Sequence, residues 1–200
     1  MHGMINRGLQ FYVRDIFDVE TWEDVCTTAG LAYFNFETML TYEDDITDRI
    51  IDAIASVLGR SRPEILEDFG TYVVGEATLS AVRKLLRFGG EDYVEFLQSL
   101  EDVHDRAKIA LPELEVPQFL LEARGEDRFR LHYEFHKLGF GAVFLGLLRG
   151  MADDYGALIL IDHAPRRDGQ IDRDTFDISL LHLGWPEAAD NRDTTPELVN

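Results

Sequence analysis

The hydrophobic period of this chain changes around Pro112 and Pro117, and that change divides what it can fold into. Before the prolines, apolar residues recur at three- and four-residue steps, as helices require; after them, apolar residues fall mostly in short runs. Residues 4 to 17 place Ile5, Leu9, Tyr12, Val13 and Ile16 at helical spacing. Residues 20 to 30 repeat this with Trp22, Val25 and Ala29, and Gly30 ends the helix. Residues 43 to 59 carry Ile46, Ile50, Ile54 and Leu58, closed by Gly59. Ser61-Arg62-Pro63-Glu64 opens another helix, with a serine at the entry and an early proline. Tyr72 to Leu86 reads as helix, ended by Gly89-Gly90, and residues 91 to 108 as a further one. Phe119 to Ala123 and Phe129 to Phe135 read as strands around a Gly125-Glu126-Asp127 turn. Residues 140 to 153 return to helix, and Ala157 to Ile161 and Phe176 to Leu183 read as two more strands.

The order predicts an α+β fold, an N-terminal helical lobe packed on a C-terminal antiparallel β-sheet lobe with intervening helices. One domain is expected over residues 1–185, with the helical lobe at about 1–60 and a second lobe at about 61–185. Residues 186–200 form an acidic tail expected to fray. The formal net charge of −19 repels phosphate backbones, so nucleic-acid binding is not expected. The single cysteine, Cys26, excludes an internal disulfide and any zinc site built from several thiols. It fits a reduced, cytoplasmic setting, and is read as core. No run approaches the length of a membrane span, and the N-terminus lacks a signal-peptide core. A monomer is expected.

Few residues carry candidate chemistry. Phe96, Leu100 and His104 form an i, i+4 row, so an imidazole shares the face that buries leucine and phenylalanine. Such an imidazole can bind a metal through one nitrogen, or serve as a core histidine bonded to a carbonyl. Tyr133, Phe135 and Lys137 share one strand face, offering a phenol and a cation to an anionic ligand, or merely ending a strand. His132 and His136 lie on the other face and read as solvated. Glu43-Asp44-Asp45 reads as a helix start rather than a calcium loop. Ser56, Ser80 and Ser99 lack a nucleophile elbow, and no P-loop or dinucleotide fingerprint occurs, so an enzyme is not expected.

Taken together, five segments resemble the H-NOX family, the haem nitric oxide/oxygen-binding domain of soluble guanylate cyclase and of stand-alone bacterial sensors. They are Met1-His2-Gly3-Met4-Ile5-Asn6, Trp22 with its helix, Leu100-Glu101-Asp102-Val103-His104-Asp105, Pro117, and Leu131-His132-Tyr133 followed by Gly146-Leu147-Leu148-Arg149-Gly150. The resemblance covers roughly residues 1 to 183. It implies haem b with His104 as axial iron ligand and Pro117 against the macrocycle. Further contacts implied are Ile5, Leu9, Val73, Leu100, Val143, Phe144 and Leu147. The family's propionate clamp, Tyr-x-Ser-x-Arg, here reads Tyr133-x-Phe135-x-Lys137. Phenylalanine donates no hydrogen bond and lysine replaces a planar fork by a point charge, so looser haem is expected. Oxygen-binding members resemble one another in a distal tyrosine; the matching position here is Val143, with Leu9 and Val73 beside it. That implies a sensor of nitric oxide, also binding carbon monoxide. The implied mechanism is strain release at His104, read by a separate signalling protein such as a histidine kinase or a cyclic-di-GMP enzyme. The alternative is a haem-free or weakly haem-binding interaction module of the same fold.

Overall fold

A computed structural model of the chain describes residues 3–75, 90–110, 115–137, 139–165 and 173–181. Helices α1 (Gly3–Ile16), α2 (Val19–Thr28), α3 (Asp44–Leu58) and α4 (Arg62–Gly75) come first. Next come α5 (Tyr93–Ser99), a 3-10 turn (Leu100–Asp102) and α6 (Val103–Ala110). Strands β1 (Gln118–Ala123) and β2 (Arg128–Glu134) precede α7 (Gly141–Tyr155), then β3 (Ile159–Ala164) and β4 (Asp174–Leu180). The sheet is antiparallel throughout, in the order β1-β2-β4-β3. The α+β fold expected from the change of period is the one observed.

Local chemistry sets the ends of the helices. Ser61 donates through its backbone N–H and its hydroxyl to Glu64, at 2.9 and 2.6 Å, which starts α4. Asp44 and Asp45 occupy the first turn of α3, where the helix dipole favours them. Gly59 and Gly156, at φ +63° and +66°, end α3 and α7 in the left-handed region. After Gly156 the N–H of Ala157 bonds back to Ala152 at 2.8 Å. Ala157 therefore finishes a helix, and β3 begins two residues later than the apolar run implies.

Two other boundaries differ from the sequence expectation. Tyr72 lies within α4, whose 14 residues run on from Arg62, and does not open a new helix. The stretch 91–108 is two helices joined by the 3-10 turn, not one. Ser80, Leu86, Gly89, Pro112, Leu183 and the residues from Pro186 lie outside the described residues.

The core runs through both halves. Trp22, Phe36, Ile50 and Ile54 are buried among α1–α3. On the sheet, Phe129, Leu131 and Tyr133 of β2 and Phe176 and Ile178 of β4 turn one face inward under α7, as period-2 alternation requires. The tightest joint is between α4 and α7. A Cβ on Gly70 would lie 1.9 Å from the Val143 carbonyl oxygen, and one on Gly146 would lie 1.9 Å from that of Glu67. The two backbones touch, and Thr71 Oγ1 donates across the joint to Gly146 at 3.2 Å. Cys26 is fully buried, and burial pushes its thiol up to about 12. Among the described residues, no helix is long and apolar enough to cross a membrane.

Two outcomes follow from this packing. Gly70→Ala or Gly146→Ala forces the helices apart and should cost about 3 kcal/mol, lowering Tm by about 8 °C. Gly75→Ala, with open space around its Cβ position, should not lower it; equal melting curves for all three would refute the contact. Cys26 should react with a thiol reagent only as the protein unfolds, so labelling at a rate independent of added denaturant would contradict its burial.

Candidate functional site

His104 stands in the first turn of α6, just after the 3-10 turn. Phe96, Leu97 and Leu100 are fully buried, whereas His104 is half-buried. The tight turn thus takes the imidazole to the margin of the apolar row. Arg106 donates to the carbonyl of Ser99 at 2.6 Å, a group near the break in the helix. Glu101 accepts the Leu121 N–H at 3.1 Å, tying the turn to β1.

The Nδ1 of His104 lies 3.2 Å from the carbonyl oxygen of Val116. A carbonyl only accepts, so in the neutral imidazole Nδ1 carries the proton and Nε2 the lone pair. Val116 precedes Pro117, and a residue before proline is confined to extended backbone. Pro117 therefore acts on His104 through the direction of the Val116 carbonyl. The sequence reading named Pro117 but not Val116, since a backbone acceptor leaves no trace in residue type.

Tyr133 and Phe135 sit in a continuous ring cluster beneath α7. Tyr133 stacks on Phe144 with centroids 5.3 Å apart and meets Phe176 edge-on. Phe144 also meets Phe119 at 4.7 Å, and Phe135 meets Phe140 at 5.9 Å. Inward alternation at 133, 135 and 137 holds, for all three are buried. Lys137 is engaged elsewhere than expected. Its Nζ donates to the Asp44 carbonyl at 3.1 Å and pairs with Asp48 at 3.1 Å and with the Asp44 carboxylate at 3.8 Å. The two ends are 93 residues apart, so no local pattern announced the pair.

Val73 lies on α4, and Val143, Phe144 and Leu147 on α7, around the Gly70–Gly146 joint. Leu9 is fully buried on α1, and Ile5 half-buried. All six side chains are apolar. The hydroxyl of Tyr72, next to Val73, donates to Asp15. Tyr12 holds a buried hydroxyl with no partner among the described residues, and burial pushes its phenol up to about 12. Its ring packs on Phe69 and Tyr72.

A part-buried histidine pairs with a buried aspartate on the sheet. His163 Nε2 is 3.0 Å from Asp174, and its ring stacks on Phe176 at 4.5 Å. The Asp174 carboxylate abuts Gly141, at the start of α7. His132 and His136 face carboxylates instead, Glu122 at 3.1 Å and Glu115 at 3.2 Å. No group of three metal-ligating side chains occurs among the described residues.

A family model described as Haem-NO-binding matches residues 2–163. Among curated proteins, the chain is 23% identical over 158 residues to "Soluble guanylate cyclase 89Db" of Drosophila melanogaster, covering 79% of this chain and 24% of that one. It is 30% identical over 136 residues to "Soluble guanylate cyclase gcy-37" of Caenorhabditis elegans, covering 66% of this chain and 19% of that one. The chain thus spans about a quarter of the length of these relatives or less. Among solved structures, an H-NOX protein from S. oneidensis in the Fe(II)NO ligation state superposes with TM-score 0.78 at 17% identity, covering 91% of this chain and all of that one. The Fe(II) unliganded H-NOX protein from K. algicida superposes with TM-score 0.78 at 18% identity, covering 91% and 97%. By the extent of the family match, and with the fold of these H-NOX structures, the chain belongs to the haem-NO-binding family.

Proposed function

We propose that this chain holds haem b through His104 and reports nitric oxide to a separate signalling protein, a histidine kinase or a cyclic-di-GMP enzyme. The observation that carries this reading is the His104–Val116 contact, which leaves Nε2 as the lone-pair nitrogen. Held by His104, a haem would supply an iron able to bind a diatomic gas. What the chain adds is orientation on one side and exclusion on the other. Val116 fixes the tautomer and the plane of the imidazole, and Pro117 fixes Val116. Ile5, Leu9, Val73, Val143, Phe144 and Leu147 form an apolar wall, with Leu100 behind His104. A wall without a hydrogen-bond donor favours nitric oxide and carbon monoxide over oxygen, whose bound form gains most from a donor. The Tyr72 hydroxyl is spent on Asp15, which supports that reading. The protein is proposed to work as a cytoplasmic monomer, with a helical lobe to about residue 60 shifting against a haem-holding lobe to about residue 185.

The clamp is where this chain departs from its family. Tyr133 is retained, but Phe135 cannot donate and Lys137 is held by Asp44 and Asp48 of α3. We assign Lys137 as a fastener between α3 and the end of β2 more than as a grip on a carboxylate. The haem is then retained chiefly by the His104 bond and by apolar burial, and exchanges more readily than in a protein with the full clamp.

Three outcomes test this. His104→Gly should abolish the ferrous Soret band and regain it with added imidazole, while His132→Gly keeps it; a colourless wild type that refuses added haemin would overturn the sensor reading in favour of a haem-free interaction module. The ferrous Soret band should be unchanged in air and shift with nitric oxide, and an oxygenated spectrum would refute the selectivity. Lys137→Ala should lower stability by about 1–2 kcal/mol, discounted because both carboxylates are partly exposed, with the rate of haem transfer to apomyoglobin unchanged. Faster transfer at unchanged Tm would make Lys137 a haem clamp after all.

A further inference from the structure

The loop between α2 and α3 exposes an unusual concentration of large apolar side chains. Tyr33 is 38% exposed, Phe34 47%, Leu40 53% and Met39 75%. Exposed apolar residues scattered singly need no explanation, but four within eight positions of one loop do.

These side chains are displayed by a backbone fastened at several points. Gly3 donates to the Leu40 carbonyl at 2.7 Å, and Arg7 to the Phe36 carbonyl at 3.0 Å. Gln10 accepts from the Phe36 N–H at 3.1 Å and donates to Asn35 at 2.8 Å. Trp22 donates to the Phe34 carbonyl at 2.7 Å. Phe36 is fully buried between Trp22, Tyr33 and Tyr42. The backbone approach is close, since a Cβ on Gly3 would lie 2.1 Å from the Glu37 carbonyl oxygen. Rigid apolar anchors lose little entropy on docking, which is what binding hot spots require.

The charge around the loop identifies what fits. Residues 31–43 contain no lysine or arginine and carry Glu37 and Glu43, whereas Asp44, Asp45 and Asp48 beyond them already pair with Lys137, Arg49 and Arg62. In a two-fold dimer built on this loop, like would face like, on molecules of formal net charge −19. We propose that the 31–43 loop is a docking surface for a different protein, whose matching face is apolar and rimmed by lysine or arginine. The hydrogen bonds from Gly3, Arg7 and Gln10 make α1 the support of this loop, and α1 also carries Ile5 and Leu9. A shift of α1 therefore moves the docking surface; that coupling rests on the sensor reading, whereas the docking itself does not.

The test uses the full chain, with methyl-labelled methionine, and a short amphipathic helical peptide of leucine and lysine as the probe. The Met39 methyl should shift saturably while that of the fully buried Met151 stays put. Phe34→Ser/Leu40→Ser keeps the backbone anchors, should melt like the wild type, and should weaken binding by about tenfold or more. A leucine–glutamate peptide of the same pattern should not bind. A silent Met39, or undiminished binding to the double variant, would overturn the surface. Equal binding of the glutamate peptide would overturn the charge argument. A concentration-dependent dimer in sedimentation that the double variant abolishes would make the occupant a second copy. The titration is run with and without haem, so loss of the Soret band and loss of peptide binding are separate failures.

Discussion

Two helix backbones in contact, α4 on α7, are the constraint on which the other half of the molecule depends. With glycine at 70 and 146, no side chain stands between them, and the helices approach to van der Waals distance of each other's peptide groups. That closeness sets where Val73, Val143 and Leu147 stand, because each lies within three residues of a joint glycine. It also holds α7 over the sheet at the height at which Phe144 reaches Tyr133, Phe119 and Phe176. The apolar wall is a by-product of this joint.

The imidazole of His104 is directed by a polar contact of backbone origin. A histidine on a short helix has two nitrogens and several rotamers, and is undirected until something claims one nitrogen. Val116 makes that claim, and Pro117 narrows the direction from which it is made. The three residues stand in series: Pro117 restricts Val116, and the Val116 carbonyl engages His104.

Much of the fold was legible because it rests on periodicity. The alternation at Phe129, Leu131 and Tyr133 sets the inward face of β2, and it survives past the end of the strand to Phe135 and Lys137. The rows Ile50–Ile54 and Leu9–Val13 likewise mark buried faces. His104 was legible only as a member of such a row, and its resemblance to the family supplied the rest. What stayed hidden was long-range or carried by backbone. The Asp44–Lys137 link joins residues with nothing between them in pattern, and the Val116 carbonyl belongs to a group every residue has. The 3-10 turn at Leu100–Asp102 was hidden too, for its residues suit an α-helix as well. Which element Ala157 joined was settled by a hydrogen bond and not by hydropathy.

The α4–α7 joint also has a bearing on how the chain reaches its native state. Thr71 and Gly146 are 75 residues apart, so bringing them together costs about 4 kcal/mol of loop-closure entropy. The β1–β2 hairpin, with its Gly125-Glu126-Asp127 turn, has no such cost and can form on its own timescale. The joint most exacting in shape is thus among the most remote in sequence. Packing that closes after the folding barrier governs how slowly a native state is lost more than how quickly it is found.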